Sequence, residues 1–164
     1  MSMIGNALAI SPETLRTLLD DPSRMESLLF PDSGGPDAKG HMDLDKAWHA
    51  IHFVLNEKAW EGEGALGAAI LGGHELGEDM GYGPARYLTA EDVSSVAEAL
   101  DAVTLSDFEH RFNAEALAAE SIYPDVWDES RSELLEYLLP YYEALKAFYA
   151  NAAREGNAVL LYLN

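Results

Sequence analysis

Asp45, His49, His52 and Asn56 have the types and spacing most suited to chemistry in this chain. Successive helical residues step about 100°, so on one helix these four share a sector of about 60° beside the apolar residues Leu44, Trp48, Ile51 and Leu55. A carboxylate at Asp45 and an imidazole at His49 stand at i,i+4, where one can orient the other. His52 is then the candidate general acid or base and Asp45 the candidate orienting carboxylate. His49 and His52 at i,i+3 would suit a shared metal only with further ligands, for which His74 and Glu75 are the nearest choices. The commoner role for such residues is a polar flank with one histidine at the core edge, and the expectation is no metal and no cofactor.

A second concentration lies between Gly62 and Gly83, which holds eight of the thirteen glycines and runs into Tyr82-Gly83-Pro84-Ala85-Arg86-Tyr87. Arg86, flanked by Tyr82 and Tyr87, could bind an anion through its planar guanidinium or stack on a ring. In an acidic chain it could equally pair with Asp79 or Asp45 and hold a loop down. With Trp48 and His49, these three complete the candidate ligand-binding residues. Two nucleotide-binding patterns in the glycine cluster fail. Gly62-Glu63-Gly64-Ala65-Leu66-Gly67 matches the dinucleotide spacing, but a helix is expected before it and a strand after it, the reverse of what that chemistry needs. Gly72 to Gly77 has phosphate-loop spacing but is followed by Glu78 and Asp79 instead of lysine and a hydroxyl.

The elements that must position these residues follow from periodicity and caps. Ile4 to Ile10 reads as a strand, and Ser11-Pro12 as N-cap and first residue of a helix carrying Leu15, Leu18 and Leu19. Phe30 to Gly40 is a loop by composition, and a helix is expected over about Asp43 to Asn56. Leu66 to Leu71 reads as a buried strand. Thr89 with Asp92, and Ser130 with Glu133, are capping boxes, and Thr104 and Asn113 are caps of two short helices. Pro140 should break or kink the long last helix, which Gly156 stops. Asn157 to Leu163 is apolar enough for a central strand. The Ile122-to-Trp127 segment and Tyr137, Tyr141, Tyr142, Phe148 and Tyr149 read as packing aromatics. The sum is α+β: one helix-rich domain over 1–164 with a small sheet that includes strands near both termini.

Composition bounds the function. At 164 residues and 48% hydrophobic, the chain can bury roughly 70% of its unfolded surface without a metal or disulfide staple. It has no cysteine, which removes disulfides, thiol catalysis and thiolate metal sites. Twenty-nine Asp and Glu against ten scattered Lys and Arg give a net charge of −19, which disfavours nucleic acid and anionic membranes. The start of the sequence has no signal-peptide pattern, so a cytoplasmic location is expected.

Ser2-Met3-Ile4-Gly5, Leu44-Asp45-Lys46-Ala47-Trp48-His49-Ala50-Ile51-His52, Ile70-Leu71-Gly72-Gly73, Tyr82-Gly83-Pro84-Ala85-Arg86-Tyr87-Leu88, Ile122-Tyr123-Pro124 and Gly156-Asn157-Ala158 occur in this order. Together they give a chain that resembles, over nearly its whole length, the YfbM-like family of small bacterial proteins, a domain of unknown function. The resemblance implies a soluble, single-domain α+β protein and carries over no activity, cofactor or catalytic residue. The family's Asp-Lys-x-Trp-x-x-x-His pattern falls on Asp45, Lys46, Trp48 and His52, while His49 and Gly83-Pro84-Ala85-Arg86 are features of a subset. Two functions stay open: a non-catalytic binding protein for a basic protein partner, or an enzyme or small-anion binder with a cleft between the 45–52 helix face and the 72–87 loop.

Overall fold

The computed structural model describes residues 2–31 and 40–164, so most of the loop expected over Phe30 to Gly40 lies outside the described residues. Among the described residues five strands form an antiparallel sheet in the order β2-β1-β5-β4-β3: β1 (Gly5–Ile10), β2 (His41–Asp45), β3 (His74–Asp79), β4 (Pro84–Leu88) and β5 (Ala158–Leu163). The strand at each end of the sequence is thus paired with the other, and β5 is central. Its residues alternate across the sheet. Val159 and Leu161 enter one core, while Ala158, Leu160 and Tyr162 enter a second on the opposite face. A strand buried on both faces reads as a continuous apolar run.

Helices α1 (Pro12–Asp20) and α2 (Arg24–Leu29) cover one face through Leu15, Leu18, Met25 and Leu29. The larger core on the other face is built by α3 (Trp48–Asn56), α4 (Gly64–Ala68), α5 (Ala90–Asp101), α6 (Leu105–Arg111), α7 (Ala114–Ala119) and α8 (Arg131–Arg154). Local signals start most of them. Ser11, Thr89, Thr104, Asn113 and Ser130 each accept a backbone N–H of their first turn, a cap worth about 1 kcal/mol. Thr89 and Thr104 make full reciprocal boxes with Asp92 and Asp107. The box expected at Ser130 is made on one side only, by the serine hydroxyl.

Three expectations are corrected. The Asp43-to-Asn56 stretch is a strand followed by a turn and a helix that begins at Trp48, with Asp45 at φ 47° where β2 ends. Leu66 to Leu71 is not a strand. Its first part belongs to α4, and the turn after it leads into β3. Pro140 does not break α8, which continues for 24 residues. The proline is exposed, whereas Leu134, Leu138, Tyr142, Leu145 and Tyr149 on either side of it are buried in one core. Packing along that stripe outweighs the one hydrogen bond that a proline removes. The Ile122-to-Trp127 turn packs as expected, with Trp127 buried and its Nε1–H donating to the Ile122 carbonyl at 2.7 Å.

Candidate functional site

The four-residue row read from the sequence is divided by the fold. Asp45 closes β2, outside the helix that carries the histidines. Its Oδ2 accepts the Tyr137 hydroxyl from α8 at 2.9 Å, tying the edge of the sheet to the long helix. Desolvation and this carboxylate both raise the Tyr137 pKa. The i,i+4 pairing of Asp45 with His49 is therefore overturned, because a chain that turns at Asp45 does not carry its side chain around the same helix axis.

His49 and His52 are on α3, and both are about 1% exposed. The His49 Nε2 meets the Ala59 carbonyl at 2.7 Å, while its Nδ1 accepts the Tyr123 backbone N–H at 2.9 Å. A carbonyl only accepts, so Nε2 carries the proton and the ring is neutral. The His49 ring clusters with Trp48 at 4.7 Å and Trp60 at 4.4 Å, and those two rings are 6.0 Å from each other. His52 repeats the pattern: its Nε2 donates to the Glu61 carbonyl at 2.9 Å, and Asn56 Nδ2 stands 3.4 Å from its Nδ1. Burial lowers both pKa values against the raising effect of these carbonyls, and Arg86 lowers that of His52 further. Both imidazoles pin the segment from Glu57 to Gly62 onto α3, and a general base needs a nitrogen that substrate can reach. Trp48 is wholly buried, with Nε1–H donating to the Met3 carbonyl at 3.0 Å. His74 faces the other side of the sheet, opposite Tyr87, and among the described residues no three His, Cys, Asp or Glu side chains converge on a metal position.

The pinned segment also explains part of the glycine cluster. A Cβ on Gly67 would lie 2.4 Å from the Gly62 carbonyl carbon, so the loop and α4 touch backbone to backbone. The approach that a dinucleotide phosphate would need is filled by the chain itself, and α3 rather than a strand precedes it.

Arg86 lies in a strand, not a loop. Side chains alternate along β4, so Arg86 points to the larger core while Ala85 and Tyr87 point to the smaller one. Tyr82 is at the exposed hairpin tip, and the three residues do not form one site. The Arg86 Nη1 donates to the carbonyls of Ile70 at 3.2 Å and Gly72 at 3.0 Å. It holds the α4–β3 turn, assisted by the Tyr149 hydroxyl, which donates to Ala69 O at 2.6 Å. Burial lowers the Arg86 pKa, and Tyr149 and Glu75 raise it. Asp79, one partner expected for Arg86, instead accepts the backbone N–H groups of Gly81 and Gly83 in the hairpin turn.

The surface feature that sequence reasoning missed is a cleft of about 640 Å³ between α2 and β3. Met25, Glu26 and Phe30 form one wall, and Leu76 to Met80 form the other. Phe30 is 44% exposed, its ring edge-on to Tyr162 at 6.3 Å. Glu26, Glu78 and Asp79 line the cleft, with no lysine or arginine lining it among the described residues. The legible signal was the hairpin, two short runs around Gly81-Tyr82-Gly83. Its neighbour α2, some fifty residues earlier in the chain, was not legible.

No curated protein matches the chain. Among solved structures it is similar to the crystal structure of a protein of unknown function, YfbM from Escherichia coli, with 24% identity, a TM-score of 0.76, and 98% of this chain and 99% of that one covered. That likeness is one of fold. A family model described as a domain of unknown function, DUF1877, matches residues 1–162, and the chain belongs to that family.

Proposed function

We propose that this protein is a non-catalytic binding protein whose acidic surface takes a basic protein partner. The observation that carries this reading is how its most reactive side chains are used. His49, His52 and Arg86 are held inside the fold by backbone carbonyls and act as ties. The surface, by contrast, keeps its charge. The chain has 29 acidic and ten basic side chains, and among the described residues one ion pair, Arg24 with Asp21, comes within 4.0 Å. Such a surface attracts basic partners from a distance and repels phosphate backbones.

The test is retention from lysate by immobilised protein at about 50 mM and about 500 mM salt, where screening lengths differ severalfold. Retained proteins are identified by mass spectrometry, purified and rebound. Basic proteins held at low salt and released at high salt support the reading, and His52→Gln should leave their retention unchanged. Retention of nothing specific, or retention that depends on His52, overturns it.

A further inference from the structure

We infer that the cleft between α2 and β3 receives an extended basic segment of the partner, which adds to the sheet as a strand beside β3. This rests on the reading above and says where and how the partner binds. In a regular strand only alternate residues face one side. Here five consecutive residues, Leu76, Gly77, Glu78, Asp79 and Met80, line one cleft. Strict alternation is broken along this stretch, so the cleft meets β3 backbone as well as side chains. The bulge in β3 is the reason: the register runs from Leu76 opposite Ala85 straight to Asp79 opposite Pro84, so Gly77 and Glu78 have no partner on β4. Gly77 at φ 83° also presents no side chain to shield its peptide groups. Among the described residues β3 is the last strand on its side of the sheet, paired only with β4.

The walls define what fits. Phe30 and Met80 offer apolar surface, and Glu26 and Glu78 stand on opposite walls as exposed carboxylates. An extended segment with alternating side chains places apolar groups against the first set and lysine or arginine between the second. Charges on an edge strand ordinarily guard it against pairing with its own kind. That guard is of one sign here. A second copy of this chain would bring more carboxylates to the edge, whereas a basic segment would neutralise them.

The probe is a fluorescein-labelled nonapeptide alternating lysine with valine or isoleucine. Its controls are the same peptide with glutamate for lysine, and the lysine peptide N-methylated along both edges, which keeps its charge but cannot pair as a strand. The lysine peptide should bind, slow hydrogen exchange at the Gly77 and Glu78 amides, and lose at least about tenfold in affinity to Glu26→Lys with Glu78→Lys. The glutamate and N-methylated peptides should not bind. Equal binding of the N-methylated peptide, or exchange changes confined to other strands, overturns strand addition while leaving a basic partner in place. No binding by the lysine peptide, beside salt-sensitive retention of a basic protein from lysate, also overturns it. If both experiments are empty, the reading beneath it falls as well.

Discussion

The Nδ1 of His49 accepts the backbone N–H of Tyr123 at 2.9 Å, joining α3 to a turn 74 residues further along the chain. The other ring nitrogen holds Ala59, so one buried imidazole fixes two separate pieces of irregular backbone. His49→Ala takes the partner from both backbone groups and removes the ring that packs against Trp48 and Trp60. It should cost about 2–4 kcal/mol, because a buried N–H and C=O are left without partners beside a cavity. Urea unfolding measures this, and a loss under about 1 kcal/mol would show that the ring is not a tie.

The same burial sets a pH dependence. His49 and His52 have lowered pKa values, chiefly from desolvation. Below the unfolded value of about 6.5, the unfolded chain takes up protons that the folded one refuses. Stability is therefore full above that pH and is lost as pH falls through it. The urea midpoint should drop between about pH 7 and pH 5, and the drop should be shallower in His52→Gln. A midpoint that rises on acidification would contradict the neutral assignment.

Arg86 and Tyr149 hold three carbonyls of one turn, those of Ala69, Ile70 and Gly72. Arg86→Leu and Tyr149→Phe should each cost about 1–3 kcal/mol by orphaning buried carbonyls. The double variant should depart from additivity by about 0.5 kcal/mol or more, since either change loosens the turn that the other anchors. Strict additivity in a double-mutant cycle would mean two independent contacts.

Gly67→Ala places a methyl group against the Gly62 backbone, which cannot move aside like a flexible side chain. Overpacking of this kind costs about 1–3 kcal/mol. Thermal unfolding should show the loss, and an unchanged midpoint would mean that the two backbones do not touch.

Asp45→Asn keeps an acceptor for the Tyr137 hydroxyl and a residue tolerant of positive φ, so stability should change by under about 1 kcal/mol. Tyr137 should then ionise at lower pH than before, still above an ordinary tyrosine because desolvation is the larger cause of its shift. Ultraviolet titration of the phenolate reads this directly.

What was legible in the sequence was local. Ser11, Thr89, Thr104 and Asn113 cap the helices they were expected to cap, since a side chain and the next turn's N–H groups are neighbours in sequence. The apolar run of β5 declared a strand buried on both sides, and with β1 it gave the α+β class. The row from Asp45 to Asn56 misled for a physical reason. Eight of the nine residues of α3 are buried, so it has no polar face whose period marks where a helix begins, and β2 ahead of it is only five residues long. By itself the sequence determined which caps, runs and charges the molecule has, because those act between near neighbours or sum over the whole surface. Only the tertiary structure decided that His49, His52 and Arg86 became internal ties and that β3 met α2 across a cleft, because those outcomes depend on which carbonyls and edges the long-range pairing of β1, β4 and β5 brings within reach.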